Sequence, residues 1–331
     1  MNIIKYRKIY LTFSGTLTVV AILLWIMWGL NLGIDFTGGS LLEIEYAKTR
    51  PTVSDINQNL ADLNLKGLKI QAIGDQGYAL RFQETGEDVH QKILAKLNAN
   101  IQTPSTDKVK VENANTNSQI AVSGVSVKTS SSNNQITEKR FDSIGPSIGV
   151  ELKTKAFYAI ILVVISIISY MAFAFRQVSY PVSSWKYGIA AVLALIHDVF
   201  VTIGIFVILG RYFNFEVNTP FVAALLTILG YSVHDTIVVF DRVRENLHKY
   251  EGEFEEIVEK SIWETLARSI NTIITVELSL GALLIFGGGV IDDFVKPLMI
   301  GIFFGGYSSI FIASQILVTW QKLDWAMKKR E

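Results

Sequence analysis

Apolar residues gather in six long stretches, near Tyr10–Leu30, Ala156–Phe175, Tyr187–Leu209, Asn218–Phe240, Ile270–Phe286 and Leu298–Trp320. Each is long enough to cross a hydrocarbon layer of about 30 Å as a helix. The pattern predicts an α-helical polytopic membrane protein with six transmembrane helices. The first stretch reads as a retained anchor: it is too long for a signal-peptide core, and no small-x-small cleavage site follows it.

Between the first two stretches the period changes. Ser40–Tyr46 reads as a strand. Thr52-Val53-Ser54-Asp55 is a capping-box start for a helix to about Leu63. Leu68–Ile73 and Tyr78–Phe82 read as short strands around the turn Gly74-Asp75-Gln76-Gly77. A second helix starts at Thr85-Gly86-Glu87-Asp88, with Val89, Ile93, Leu94 and Leu97 on one face. Further strands are expected near Val109–Glu112 and Gln119–Val127, with Asn/Ser/Thr-rich loops at Asn113–Ser118 and Thr129–Gln135. The order is that of a small α+β domain of ferredoxin-like, βαββαβ type. The predicted organisation is residues 1–30 for the N-terminus and first helix, 31–155 for the α/β domain, 156–320 for a five-helix bundle and 321–331 for a tail. A short amphipathic helix is expected at Glu253–Thr265, with Ile257, Ile262 and Trp263 against the membrane or the bundle.

Lysine and arginine give an orientation. Lys5, Arg7 and Lys8 precede the first span, and Arg176 and Lys186 lie between the second and third. Arg242, Arg244, Lys249, Lys260 and Arg268 lie between the fourth and fifth, and Lys322, Lys328, Lys329 and Arg330 close the chain. The opposite short loops hold only Arg211 and Lys296, beside Glu216, Asp292 and Asp293. Both termini are therefore expected in the cytoplasm, and the α/β domain outside it.

Half of the 331 residues are hydrophobic, and 30 basic residues balance 30 acidic ones. Balanced charge argues against a nucleic-acid partner. The absence of cysteine rules out disulfides, thiol catalysis and thiolate metal sites. Four scattered histidines, His90, His197, His234 and His248, suggest no metal cluster, and nothing calls for a cofactor.

The candidate chemistry lies inside the spans, where ionisable side chains are costly and usually face the bundle interior. His197-Asp198 is in the third span and His234-Asp235 in the fourth. Asp198 shares a helical face with Ala191, Ala194 and Thr202, so it faces packed protein. Asp235 lies nearer the cytoplasm. Arg268 heads a polar stripe through Thr272, Thr275 and Ser279. It either pairs with Asp235 and holds it ionised, or it snorkels to the headgroups. His197 and His234 are read as helpers: they either relay protons or fasten helices by hydrogen bonds. Glu277 falls on the opposite face from Arg268 and is expected outside the shared site. Gly301, Gly305, Ser309 and Ala313, at strict four-residue spacing, form a close-packing seam.

Five segments carry a family resemblance: Gly33-Ile34-Asp35-Phe36-Thr37-Gly38-Gly39, Ile144-Gly145-Pro146-Ser147-Ile148-Gly149, His197-Asp198-Val199, Gly230 through Arg242, and Thr265-Leu266-Ala267-Arg268-Ser269-Ile270. The chain resembles the SecF family of bacterial protein export, a branch of the resistance-nodulation-division-like membrane proteins. The resemblance covers nearly the whole chain. It implies a non-enzymatic subunit of the cytoplasmic (inner) membrane that uses the proton gradient to promote passage of preproteins. It implies a SecD-like subunit, the SecYEG channel, YajC and YidC as partners. The family's intramembrane acid maps onto Asp235 and its arginine onto Arg268. His234 stands where the family has asparagine, and Glu277 where a small or hydroxyl residue is expected. Competing readings are half of a small-molecule exporter, an intramembrane aspartyl protease that lacks the Gly-x-Gly-Asp context, and a passive scaffold.

Overall fold

The computed structural model describes residues 3–47, 50–99, 136–175, 182–287 and 289–328. They form two compact units, Thr37–Gly149 and a second made of Met1–Phe36 with Val150–Glu331.

The smaller unit is an antiparallel four-stranded sheet carrying two helices. Its elements are β1 (Gly39–Tyr46), α3 (Val53–Leu60), β2 (Lys69–Ile73), β3 (Gly77–Phe82), α4 (Glu87–Ala99) and β4 (Ile136–Ile144), and the strand order is β2-β3-β1-β4. β1 is central, with Ser40 opposite Phe82 on β3 and Ser143 on β4. Its Leu42, Ile44 and Tyr46 meet Ile56 and Leu60 of α3 and Ile93 and Leu97 of α4 in one apolar core. The capping box at Thr52 and Asp55 is formed in both directions. The strands expected at Val109–Glu112 and Gln119–Val127 lie outside the described residues. β4 was not expected. Its middle, Thr137 through Asp142, is rich in charge, which is how edge strands are protected. Gly38, at φ +74°, brings the first glycine motif against Pro146: a Cβ there would sit 2.8 Å from the proline Cα. No side-chain-bearing residue fits.

The larger unit holds α1 (Arg7–Trp28), α5 (Pro146–Ala174), α6 (Ser184–Phe213), α7 (Thr219–Lys249), α8 (Phe254–Phe286) and α9 (Gly289–Ser308). A π-turn (Ser309–Ala313) and α10 (Ser314–Lys328) continue α9. Among the described residues six helices are long and apolar enough to cross a membrane, the number predicted. Half or more of the residues in α6, α7 and the α9–α10 rod are buried, against about a tenth in α1, α5 and α8. The bundle thus has three inner and three outer helices. The helices outrun their apolar windows: α5 starts ten residues before Ala156, with proline at its first position. The short helix expected at Glu253–Thr265 is not separate but the first third of α8. Its Ile257 and Ile262 are buried and Trp263 is exposed.

A tight junction ties the end of α1 to the start of α7. Leu32 bridges Val217, Gly33 N–H donates to the Val217 carbonyl at 2.9 Å, and Val217 N–H donates to that of Asn31 at 2.8 Å. Asp35 Oδ2 accepts from the Thr219 amide at 2.7 Å. A first-turn amide of α7 is thereby satisfied from another segment, since Asn218 supplies no side-chain cap.

Candidate functional site

Asp198, at mid-length on α6, has no solvent exposure. Two hydroxyls and an imidazole nitrogen surround it. Ser232 of α7 donates to Oδ2 at 2.6 Å, Ser308 of α9 donates to the same oxygen at 2.7 Å, and His197 Nδ1 lies 3.0 Å from Oδ1. The carboxylate therefore pins the three inner helices at one level. Leu195, Leu229 and Ile310 belong to an apolar cluster on one side of it, and Phe206, Ile228 and Ile302 to another on the far side. A carboxyl so enclosed exists only because its lone pairs are occupied.

The small-residue seam makes this approach possible. A Cβ on Gly301 would lie 2.2 Å from Ile228 Cδ1, and one on Gly305 would lie 3.0 Å from Ser232 Cβ. Ser309 then meets Thr236 hydroxyl to hydroxyl at 2.9 Å. The contacts advance in step, 301 on 228, 305 on 232 and 309 on 236, as parallel helices require. Just past Ser308 the helix widens into the π-turn, where Ser314 Oγ donates to the Ser309 carbonyl five residues back. Such turns frequently mark functional positions.

Asp235 lies three residues beyond Ser232 on α7, about 4.5 Å along the axis. Ser269 of α8 donates to Oδ1 at 2.7 Å. Oδ2 is buried and has no hydrogen-bond partner. The two carboxyls belong to one polar layer: Asp198 with Ser232 and Ser308, then Ser309 with Thr236, then Asp235.

Of the two readings of Arg268, the pair with Asp235 is not formed in this structure: Arg268 is exposed, and the hydrogen bond to Asp235 comes from Ser269. One residue is about 100° of helix rotation, and it is Ser269 that is turned toward Asp235. The stripe of Thr272, Thr275 and Ser279 bonds back to its own helix, each hydroxyl donating to the carbonyl four residues earlier. His234 also faces outward and is not part of the layer, whereas His197 is. The His197 ring lies 6.2 Å from Tyr307, and its Nε2 is buried without a partner. Of the two acids, Asp198 is the more fully held, with Ser232, Ser308 and His197 against it, while Asp235 has Ser269 on Oδ1. Glu277 is half-buried, and its Oε1 is buried with no hydrogen-bond partner. Ser232, Ser269 and Ser308 were the unrecognised members. Their signal was a hydroxyl in an otherwise apolar span.

No group of side chains suited to a metal ion occurs among the described residues.

A bundle of membrane-length helices with a carboxyl locked between its inner members, and an antiparallel sheet domain between the first two of them, defines a polytopic membrane protein with buried ionisable groups. Residues 124–323 match the family described as protein export membrane protein SecD/SecF, C-terminal, and residues 29–49 match the SecD/SecF GG motif. The chain belongs to the SecD/SecF family of protein-export membrane proteins. It is 39% identical over 326 residues to the protein translocase subunit SecF of Thermobaculum terrenum, covering 98% of this chain and 95% of that one. It is 35% identical to that of Anaerolinea thermophila, covering 98% and 96%. The crystal structure of SecDF from Thermus thermophilus matches 97% of the chain with a TM-score of 0.75 and 28% identity. The chain spans 39% of that longer protein.

Proposed function

We propose that this chain is the SecF-like half of a heteromeric protein-export complex in the bacterial inner membrane, and that protonation of Asp235 drives it. The observation that carries the reading is the unpartnered Oδ2 of Asp235, beside a hydroxyl layer that ends on Asp198. Adding a proton to Asp235 removes a charge and turns one carboxyl oxygen into a donor. The contact with Ser269 then changes, and with it the balance between α7 and α8. Asp198 acts as the fixed reference of the layer, and His197, against its Oδ1, positions it. Arg268 and His234 stand outside the layer and serve at the surface, where a second subunit or a rearranged state meets them.

A SecD-like subunit against the exposed polar face of α8 completes the bundle. The preprotein route through SecYEG, with YajC and YidC, is part of the same reading, as are cytoplasmic termini, an extracytoplasmic sheet domain and a role without bond-making chemistry. An aspartyl protease finds no support in the geometry, because the oxygens of Asp198 are engaged by Ser232, Ser308 and His197.

The test is export of a preprotein into membrane vesicles carrying the complete complex, with and without a proton gradient. Asp235→Asn should assemble normally and lose the gradient-dependent part of export. A mutant that keeps it refutes the reading.

A further inference from the structure

An apolar cleft of about 460 Å³ lies between α1, α5, α6 and α7. Leu195, Phe221 and Leu225, all buried, form its floor, while Trp25 and Phe157 on its walls are exposed at the bundle surface. One charged side chain lines it, Lys153 on α5. The neighbouring Lys155 and Glu151 pair with each other at 2.7 Å, and Lys153 has no ion partner among the described residues.

The length of the cleft identifies its occupant. Along α5 it runs from Lys153 to Val164, about 16 Å at 1.5 Å per residue. That is about half of a hydrocarbon core of 30 Å, or one leaflet. An apolar-walled space does not hold water well, and the side chains exposed at its mouth, Trp25 and Phe157, are apolar too. No residue of α8, whose polar face suits a protein partner, lines the cleft. We propose that this cleft holds one acyl chain of a phospholipid whose anionic headgroup rests against Lys153. The phosphate and the ammonium make a charge-assisted contact, and the tail lies on the walls of α5 and α6. Its deep end reaches Leu195 and Leu229, three residues before Asp198 and Ser232. Lipid therefore packs directly behind the helices that hold the buried carboxyl.

The experiment uses the full chain purified with its SecD-like partner and supplied with phosphatidylglycerol. Native mass spectrometry reads retained lipid, and a photoreactive benzophenone side chain replacing Ile160 reads what fills the cleft. Expected results are retained phosphatidylglycerol in the wild type, labelling of lipid from position 160, and about tenfold weaker retention in Lys153→Glu, corresponding to about 1.4 kcal/mol. Ala156→Trp should abolish labelling. Equal retention by wild type and Lys153→Glu overturns the proposal, as does labelling of a partner helix from position 160. If Ala156→Trp does not assemble, the Lys153→Glu result decides, since that side chain is on the surface.

Discussion

Ser269, and not its neighbour Arg268, donates a hydrogen bond to Asp235, at 2.7 Å. Removing the hydroxyl takes away the hydrogen bond to Oδ1 and leaves Ser309 as the remaining hydroxyl acting on Asp235. Ser269→Ala should lower the stability of the solubilised complex by about 1–3 kcal/mol and shift the pH midpoint of gradient-driven export. Arg268→Ala, which removes an exposed side chain, should stay within about 0.5 kcal/mol of wild type in stability. Thermal unfolding in detergent checks both. An arginine mutant as unstable as the serine mutant would show that the guanidinium is engaged in the resting state after all.

Two glycines make a paired test of helix contact. A Cβ on Gly204 of α6 would sit 2.5 Å from Ala21 Cβ and 2.8 Å from its Cα, an obstacle fixed to the backbone of α1. A Cβ on Gly301 would meet Cδ1, Cγ1 and Cγ2 of Ile228, which are side-chain and not backbone atoms, so a shift of one side chain could relieve part of the clash. Gly204→Ala should therefore cost more than Gly301→Ala, with about 1–3 kcal/mol expected for the former. Comparing their thermal unfolding midpoints decides it, and the reverse order would be incompatible with the packing described.

Burial, reinforced by the nearby Tyr78, pushes the Tyr46 hydroxyl up from 10.0 to about 12. The folded sheet domain thus holds this proton where the unfolded chain has lost it. The contribution is fully present below pH 10 and is lost as pH rises toward 12, amounting to roughly 2–3 kcal/mol. Tyr46→Phe should remove that alkaline loss. Far-UV circular dichroism against pH should show the mutant holding its strands to higher pH than wild type.

The Asp35–Thr219 hydrogen bond caps α7 from outside. Asp35→Ala should lower stability by about 1 kcal/mol, and Asp35→Asn, which still accepts from the amide, by less. Hydrogen exchange at the first turn of α7 should rise in the alanine variant. Unchanged exchange there would mean that water caps the turn equally well.

The spans were legible because a bilayer imposes a length that hydrophobicity reports directly. Their ends were not, because helical hydrogen bonding continues past the apolar window, as in the first third of α8. β4 escaped notice because an edge strand carries charges where a central strand carries apolar residues. Asp198 and Asp235 stood out as charges in apolar runs. Their true partners did not, because which hydroxyl meets a carboxyl depends on the rotation of each helix, and a one-residue difference separates Ser269 from Arg268. Periodicity did reveal the Gly301–Ser309 seam, since close packing needs small side chains at a fixed repeat whatever the partner is.

The junction at Asp35 gives α7 a mechanical character. From Thr219 to Asp235 the helix is about 24 Å long and stiff, with the Asp235 carboxyl at one end and a hydrogen-bonded strap at the other. That strap is the stretch of chain that enters β1 four residues later. α7 is thus a stiff strut fastened at its first turn: it cannot slide along its axis without breaking the Asp35–Thr219 hydrogen bond and the Leu32–Val217 bridge that hold it to the end of α1.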